Sequence, residues 1–201
     1  MSRAADVGRS HPGWFAAALL VAAVSSSTAV ADIGALSHRT AAALLIKVLT
    51  YDRAVRVRAS ATVNVGVLAH ARGAESRACA DSLVTELSQA ARTQRVGSRA
   101  VHAVALPWNG AADLNSALAR EQIHLLYICP GLEAESGAVS ALTRAHKVLS
   151  VAASDLGVKS GLGMALLNRG SRPTILVNLP AARAEGRELD AGLLGLAEVI
   201  R

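Results

Sequence analysis

Residues 163–201 read GMALLNRGSRPTILVNLPAARAEGRELDAGLLGLAEVIR, and this stretch decides how the predicted sheet ends. Two apolar runs, at 164–167 and 174–179, flank the segment NRGS, whose residue types are common in turns. Two such runs around a short turn predict an antiparallel β-hairpin. Pro180 ends the second strand, because proline has no N–H for a sheet ladder and its fixed φ suits the first turn of a helix.

The end of this stretch has a helical pattern. Asp190 is a residue type that caps helices, and the apolar residues around and after it share one helical face. These residues are Leu189, Leu193, Leu196, Ala197 and Ile200. We therefore expect a short helix after Pro180 and a terminal helix that begins near Asp190.

Before the hairpin, predicted strands alternate with predicted helices. The strands cover residues 62–69, 101–106, 123–129 and 148–153, and the helices cover 35–52, 75–92, 111–120 and 133–147. Such alternation is typical of parallel sheets with right-handed crossovers. The sequence therefore predicts a single-domain α/β fold: a parallel sheet of about four strands with helices on both faces, followed by the antiparallel hairpin and the terminal helix. Residues 157–163 are predicted as a flexible connection before the hairpin.

Residues 1–31 have the composition of a secretory signal peptide. Arg3 and Arg9 precede an apolar run at 14–24, and Ala29-Val30-Ala31 forms a small-x-small cleavage site. Cleavage is predicted between Ala31 and Asp32, which leaves residues 32–201 as the folded domain in the periplasm. The apolar run of about 11 residues is short beside the roughly 20 of a membrane-spanning helix. An uncleaved anchor and a buried N-terminal helix are the alternatives.

The charge balance is basic but dispersed. The chain has 21 Lys and Arg against 15 Asp and Glu, a net charge of +6, and its sequence pI is about 10.1. Proteins that bind nucleic acid cluster such charges, often with stacking aromatics between them. Here Arg53, Arg56 and Arg58 alternate with Val55 and Val57, and aromatic residues make up only 2% of the chain. We expect a solvated basic face and no nucleic-acid partner.

A ligand site in an open α/β sheet lies beyond the carboxyl ends of its parallel strands. The loops predicted there cover residues 70–76, 107–110, 130–133 and 154–159. The candidate ligand-binding residues in these loops are His70, Arg72, Trp108 and Asp155.

Motifs for cofactors, metals and catalysis do not match. The loop after the first strand, AHARGA, is not G-x-G-x-x-G, and residues 161–163 lack the lysine step of a phosphate-binding loop. Ser154 does not lie in G-x-S-x-G. The histidines after the leader are isolated in sequence, without metal-ligand spacing: His38, His70, His102, His124 and His146. We expect no cofactor, no metal and no enzymatic activity.

Cys79 and Cys129 are the two cysteines, and an exported protein meets an oxidising compartment. If the strand order is 2-1-3, Cys129 at the end of the third strand comes close to Cys79 in the helix after the first strand. A disulfide and two buried free thiols are the two alternatives.

The tail and the opening helix resemble the YfiR-like family of periplasmic proteins. In the tail, the resemblance rests on a strand that ends in Asn178-Leu179 and on the following Ala-Ala-Arg-Ala-x-Gly motif, which includes Ala182 and Arg183. In the opening helix it rests on residues 45–49 with Tyr51. The Trp-Pro that usually closes this helix in the family is replaced by Asp52-Arg53. The family's usual cysteine opens the third strand before a His, and Ile123-His124 takes that place here, so the family's disulfides do not carry over.

The resemblance implies a non-enzymatic periplasmic regulator. Such proteins bind the periplasmic sensor region of an inner-membrane diguanylate cyclase and restrain it, so the expected partner is that cyclase or another inner-membrane sensor. A homodimer remains open. A small-molecule binding module, with a pocket lined by Trp108 and Arg72, is the alternative function, and an exported hydrolase is a third. Asn178 and Arg183 are expected to be structural, with Asn178 bonded to nearby backbone and Arg183 lying across the sheet edge.

The leader generates the first testable prediction. N-terminal sequencing of the exported protein should give a chain that begins at Asp32, because Ala29 and Ala31 provide the small side chains that signal peptidase requires. Substituting Ala31→Phe should block this cleavage and increase the mass of the exported form. An exported protein that still begins at Met1 would contradict the prediction.

Overall fold

The computed structural model describes residues 36–170 and 172–201. The predicted signal peptide and the Ala31–Asp32 cleavage position lie outside these residues. In the described part of the chain, no helix is long and apolar enough to cross a membrane.

A mixed sheet of seven strands runs through the protein in the order β2-β1-β3-β4-β5-β6-β7. All neighbouring strands are parallel except β5 and β6, which form the antiparallel hairpin. The strands are β1 Thr62–His70, β2 Ala100–Trp108, β3 Ile123–Ile128, β4 Leu149–Ala152, β5 Met164–Arg169, β6 Arg172–Asn178 and β7 Glu198–Ile200.

Eight α-helices connect or flank the described strands. They are α1 His38–Tyr51, α2 Arg53–Arg58, α3 Ala74–Ala90, α4 Ala111–Arg120, α5 Ser136–His146, α6 Asp155–Lys159, α7 Leu179–Ala184 and α8 Ala191–Leu194. A 3-10 turn, Glu133–Glu135, precedes α5. The predicted helix at 133–147 is therefore a 3-10 turn that continues into an α-helix.

The sheet separates two apolar cores because successive side chains of a strand point to opposite faces. In β3, Leu125 and Tyr127 join the core that contains α1 and α3, whereas Leu126 and Ile128 join the core that contains α4 and α5. Helices therefore cover both faces, as the sequence predicted. The cores are mainly aliphatic, with Tyr127 as their buried aromatic residue among the described residues.

The sheet has more strands than predicted, and the end of the chain differs. The hairpin continues the sheet, since β5 pairs in parallel with β4, but it is not the edge of the sheet, because β7 pairs with β6 beyond it. The prediction of a terminal helix is wrong beyond Leu194. Helix α8 has only four residues, and Glu198–Ile200 forms β7 beside β6. Gly195 interrupts the helical pattern, and the β-branched Val199 and Ile200 favour a strand.

Two further segments depart from the sequence-based expectations. Arg53–Arg58 forms α2, which begins where the Asp52 side chain accepts a hydrogen bond from the Ala54 N–H at 3.0 Å. The segment predicted to be flexible, 157–163, instead contains the end of α6 and buried residues, among them Val158 and Leu162.

The strand order places the two cysteines together. Because β3 lies beside β1, Cys129 at the end of β3 is next to Cys79 in α3. The structure joins these residues in a disulfide, with Cα atoms 6.2 Å apart. The bond ties α3 to β3 from within the first apolar core.

This disulfide should contribute much of the protein's stability. The bonded residues are 50 positions apart, and chain entropy for such a loop corresponds to about 4 kcal/mol of unfolding free energy. Reductant should lower the unfolding midpoint of the native protein. The Cys79→Ser, Cys129→Ser double variant should be no less stable than either single variant, and it should not respond to reductant.

Free thiols in the denatured, non-reduced protein give a second measurement. A value near zero per chain agrees with the disulfide, whereas two thiols per chain would contradict it.

Candidate functional site

The family motif lies at the edge of the sheet where the parallel strands begin. Strand β6 runs antiparallel to β5, so its last residue, Asn178, is close to the start of β5. There the Asn178 N–H donates to the Gly163 carbonyl at 2.9 Å. We call this side of the molecule the amino edge, and the opposite side, where the parallel strands end, the carboxyl edge.

Asn178 joins the last strand to the motif helix. Its Oδ1 accepts a hydrogen bond from the Ala181 N–H at 3.1 Å, which caps α7, and its Nδ2 donates to the Val158 carbonyl at 3.2 Å. Leu179 begins α7 and is half-buried, while Ala182 is completely buried. Each end of the Asn178 amide therefore bonds to a different backbone segment, as expected from its position at the end of the strand.

Glu185 is the central polar residue of the amino edge, and it is fully buried. Its carboxylate accepts hydrogen bonds from the Thr143 hydroxyl at 2.9 Å, from the Ser150 N–H at 3.0 Å and from the Ser150 hydroxyl. The Ser150 oxygen also accepts from the Gly163 N–H at 2.8 Å. A side chain at Gly163 would collide with the Glu185 carboxylate. Glu185 thus joins α5, β4 and the start of β5.

A buried ion pair lies beside Glu185. The Arg187 Nη1 lies 3.1 Å from the Asp52 Oδ2, and these side chains are 1% and 0% exposed. Arg187 also donates to the Glu185 carbonyl at 3.1 Å and to the Lys147 carbonyl. The pair joins the C-terminal segment to the end of α1, and the buried polar atoms of both side chains all have hydrogen-bond partners.

Burial shifts the titration of these groups. Loss of solvation raises the pKa of the Glu185 carboxyl from 4.5 to about 7, although the hydrogen bonds from Ser150 and Thr143 and the charge of Arg187 oppose this change. Burial also lowers the pKa of His124, at the start of β3, and the charges of Arg187, Arg58 and Arg99 lower it further. Burial and the neighbouring arginines therefore both favour neutral His124, although the charge of Asp52 opposes them.

The motif arginine does not take part in this network. Arg183 is exposed, and its side chain makes no hydrogen bond or ion pair within residues 36–170 and 172–201. The structure therefore does not contain the expected contact of Arg183 along the sheet edge. Ala184, which follows Arg183, accepts a hydrogen bond at its carbonyl from Lys147 Nζ at 3.3 Å. Arg58 Nη1 donates to the Lys147 carbonyl at 2.7 Å.

Exposed basic residues surround the motif on this side. We call them the basic face: Arg56, Arg58, Lys147 and Arg183. Arg99 supports it from below, because its guanidinium donates to the Arg56 carbonyl at 2.7 Å. The dispersed arginines of the sequence thus converge where α2, α5 and α7 end.

The four predicted ligand residues lie at the carboxyl edge. His70 Nδ1 accepts a hydrogen bond from the Arg72 N–H at 3.2 Å, so His70 shapes the loop after β1 while the Arg72 side chain is exposed. Trp108 packs against the second apolar core, and Asp155 forms an ion pair with Lys159 at 2.8 Å. This pairing lowers the pKa of the Asp155 carboxyl.

These four residues do not enclose a common cavity. The void below the loops after β3 and β4 has about 10 Å³, enough for roughly one water molecule, and none of the four lines it. Its walls include Ile128, Leu132, Ala152 and Leu162. His70, Trp108 and Asp155 thus have local structural partners, the Arg72 side chain is exposed, and the four side chains do not line this void.

The described residues contain no group of three or more His, Cys, Asp or Glu side chains that could hold a metal ion. His70 orders a loop, and His124 accepts from the Asn64 N–H at 3.1 Å. His146 bonds to the Asn115 side chain at 2.7 Å. Each of these three imidazoles is therefore engaged with a different element.

Comparison with known families covers almost the entire described chain. The YfiR/HmsC-like family profile matches residues 38–198. The chain belongs to the YfiR/HmsC-like family. The resemblance seen in the tail and the opening helix is thereby confirmed. Proteins of this family are periplasmic regulators and are not catalytic.

Solved structures with a similar fold include a conserved domain protein from Vibrio cholerae O1 biovar El Tor, with a TM-score of 0.54 and 15% identity over 82% of this chain and 60% of that one. A domain from Streptococcus pneumoniae in complex with L-Trp has a TM-score of 0.55 and 10% identity over 77% and 59% of the two chains. An open, ligand-free substrate-binding protein from Clostridium difficile has a TM-score of 0.52 and 14% identity over 73% and 57%.

These similarities concern the fold, and this chain spans about three-fifths of the length of each of those structures. Among curated proteins, none matches the sequence significantly.

Sequence reasoning missed Glu185 and Asp52, the two buried carboxylates of the amino edge. Glu185 occupies the variable position of the Ala-Ala-Arg-Ala-x-Gly motif, and Asp52 stands where the family has Trp. For Glu185 the available signal was a single acidic residue between the small residues Ala184 and Gly186. Its partners, Thr143, Ser150 and Arg187, could not be identified without the fold.

The pKa of Glu185 predicts a pH dependence of stability. Since the folded pKa of about 7 is above the ordinary 4.5, protonated Glu185 favours folding; this contribution is complete below pH 4.5 and is lost as pH rises through 7. Between pH 5 and 8, wild type should therefore lose up to about 1.4 kcal/mol of unfolding free energy per pH unit relative to Glu185→Gln.

The comparison with Glu185→Gln isolates this group. The lowered pKa of His124 acts in the opposite direction, but it is present in both proteins. Urea unfolding at several pH values measures the difference. Parallel pH profiles of the two proteins would show that Glu185 titrates normally.

Proposed function

We propose that this protein is exported through a cleaved signal peptide and acts in the periplasm on an inner-membrane diguanylate cyclase. It binds the periplasmic sensor region of the cyclase and restrains its activity. The level of cyclic-di-GMP in the cytoplasm, and with it biofilm-type behaviour, then depends on this protein. The match to the YfiR/HmsC-like family over residues 38–198 is the observation that carries the proposal.

The amino edge supports recognition through an exposed surface. Its polar core, Glu185 with Asp52 and Arg187, is at most 4% exposed, so it cannot contact another molecule without local unfolding. Arg183 of the same motif is exposed and has no partner among the described residues. We assign the stabilising role to the buried residues and the partner contact to the basic face.

A positive surface is suitable for a protein that acts close to a membrane. Anionic lipid head groups attract basic residues within about 10 Å at 0.1 M ionic strength. This attraction concentrates the protein near the membrane and turns its basic face towards it. Acidic residues on the sensor region would then be favoured contacts of Arg56 and Arg183.

A solute-binding module is the alternative, and the structure favours it less. The likeness to a substrate-binding protein and to a domain in complex with L-Trp concerns the fold at 10 to 14% identity. Drug-sized ligands occupy pockets of roughly 300 Å³ or more. At the carboxyl edge, the void below the loops after β3 and β4 has about 10 Å³, and the open groove beside Asn109 and Asp113 has about 260 Å³.

The basic face predicts which variants lose regulation. In cells that lack the protein, cyclic-di-GMP should rise, and wild type should restore the lower level. The Arg56→Glu, Arg183→Glu variant should fail to restore it and should bind the purified periplasmic region of the cyclase at least tenfold more weakly. Its melting temperature should stay close to wild type, because both side chains are exposed.

The matched control is Arg72→Glu, Arg77→Glu, which makes the same charge change at two exposed positions of the carboxyl edge. This control should restore regulation and binding. If the control fails and the basic-face variant works, the partner surface is at the carboxyl edge. An unchanged cyclic-di-GMP level in cells without the protein would refute the proposed function.

A further inference from the structure

A groove opens at the amino edge between the ends of α2, α4 and α5. It has a volume of about 250 Å³, and the start of β3 contributes to its wall. The basic face supplies Arg58 and Lys147, and the other polar lining residues are Gln122, His124 and His146. Its lining residues, all within the described part of the chain, include no acidic side chain. The groove therefore offers hydrogen-bond donors and positive charge to whatever enters it.

The two cationic side chains of the groove keep some of their donors free. Arg58 Nη1 and Nη2 donate to the Lys147 and His146 carbonyls at 2.7 and 3.4 Å, and Lys147 Nζ donates to the Ala184 carbonyl at 3.3 Å. A guanidinium and an ammonium have more N–H donors than these contacts use. The backbone carbonyls thus hold both charges at the groove, and no carboxylate opposes them there.

His124 adds a neutral donor. Its Nδ1 accepts a hydrogen bond from the Asn64 N–H at 3.1 Å, so this nitrogen carries no proton. Burial and the neighbouring arginines lower the pKa of His124, which keeps the ring neutral with its proton on Nε2. This Nε2–H bonds to none of the described residues, while the ring lines the groove. A neutral donor beside two cations is an arrangement suited to phosphate oxygens.

The nearest acidic side chains are mostly engaged elsewhere. Glu121 forms an ion pair with Arg120 at 2.8 Å, and Asp190 forms one with Arg53 at 2.9 Å. Glu188 is exposed, and its carbonyl accepts a hydrogen bond from the Arg53 N–H. The four residues of the basic face therefore keep an excess of positive charge, which attracts anions within about 10 Å at 0.1 M ionic strength.

Helix α2 places an exposed apolar side chain next to the groove. Val57 is 85% exposed, more than any other large apolar side chain in the described part of the chain. The buried Ala54 and Val55 anchor the opposite side of α2, so Val57 and the neighbouring Arg56 project outwards. A single surface thus presents a phosphate-sized groove, basic side chains and an apolar tip.

We propose that the groove and α2 bind an anionic phospholipid membrane. The groove holds a lipid phosphate between Arg58, His124 and Lys147, while Val57 inserts at the level of the upper acyl chains. The protein lies on the membrane surface and does not span it. A phospholipid matches both parts of this surface, because it provides a phosphate and hydrocarbon together. A free phosphate would leave Val57 in water.

The proposal rests on the periplasmic location proposed above, but it does not involve the cyclase. Attachment to lipid would hold the regulator at the membrane in which its partner lies. Vesicles without any protein therefore suffice for the test. Failure to bind them would overturn the lipid site and leave the regulation of the cyclase unaffected.

Cosedimentation of the purified exported protein with vesicles tests the association. Wild type should bind an equal mixture of phosphatidylcholine and phosphatidylglycerol but not phosphatidylcholine alone, and added salt should release it. Val57→Ser should weaken the binding severalfold, because it removes apolar surface from the lipid contact. Leu156→Ser is the matched control at an exposed apolar residue of the carboxyl edge, and it should bind like wild type.

Two charge variants separate the groove from the general positive potential. Lys147→Gln and Arg56→Gln remove the same charge from the basic face, but only Lys147 lines the groove. Arg56→Gln should weaken vesicle binding about fivefold, the usual effect of one basic residue near an anionic surface. Lys147→Gln should weaken it severalfold more, because a direct phosphate contact is also lost. Equal effects of the two variants would show that charge alone holds the protein, and would overturn the groove as a site.

Isothermal titration with glycerol 3-phosphate tests the source of the phosphate. Wild type should bind it weakly, and Lys147→Gln should abolish this binding. Tight binding of glycerol 3-phosphate without binding to vesicles would make the ligand a soluble phosphate ester and overturn the lipid proposal. If neither binds, but Lys147→Gln and Val57→Ser weaken binding to the cyclase sensor region, the occupant is that protein. Melting temperatures of the variants should stay close to wild type, because Arg56, Val57 and Lys147 are exposed.

Discussion

The buried pair of Asp52 and Arg187 is the contact on which the closure of the fold depends. Two charges removed from water are costly unless they meet each other and their other polar atoms are satisfied. Here Asp52 accepts from the Ala54 and Glu188 N–H groups, and Arg187 donates to two carbonyls. The end of α1 is thereby fixed to the C-terminal segment, 135 positions away in sequence. Loss of either partner would leave an uncompensated charge in the interior.

Glu185 extends this constraint to the centre of the sheet. Its carboxylate bonds to α5 and β4, and through Ser150 it reaches the first residue before β5. Because Gly163 leaves no room for a side chain there, the position of the carboxylate and the course of the backbone depend on one another. The family motif is thus mainly a folding element, and its exposed Arg183 is the exception.

The sequence predicted the repeating part of the fold and much less of its ends. Strands β1 to β4 and helices α3 and α4 have long apolar patterns, so their positions agree with the structure within a few residues. The sequence predicts a helix where β7 lies, because three residues are too few to distinguish the two-residue period of a strand from the 3.6-residue period of a helix. The contacts of Glu185 join residues 35 and 42 positions apart, and local pattern carries no information about them.

The choice of the carboxyl edge for a ligand site followed a rule that holds for α/β sheets with an open crevice at their strand ends. In this protein the loops there make local contacts: the Arg72 N–H with the His70 ring, Lys159 with Asp155, and the side chain of Ser76 with the His70 N–H. Polar groups that bond within their own loop are not free to bind a solute. Among the described residues, the exposed guanidinium of Arg183 makes no hydrogen bond or ion pair within the chain, and β2 leaves one edge of the sheet unpaired. A regulator that works by contact requires such surfaces, whereas a solute receptor requires a cavity.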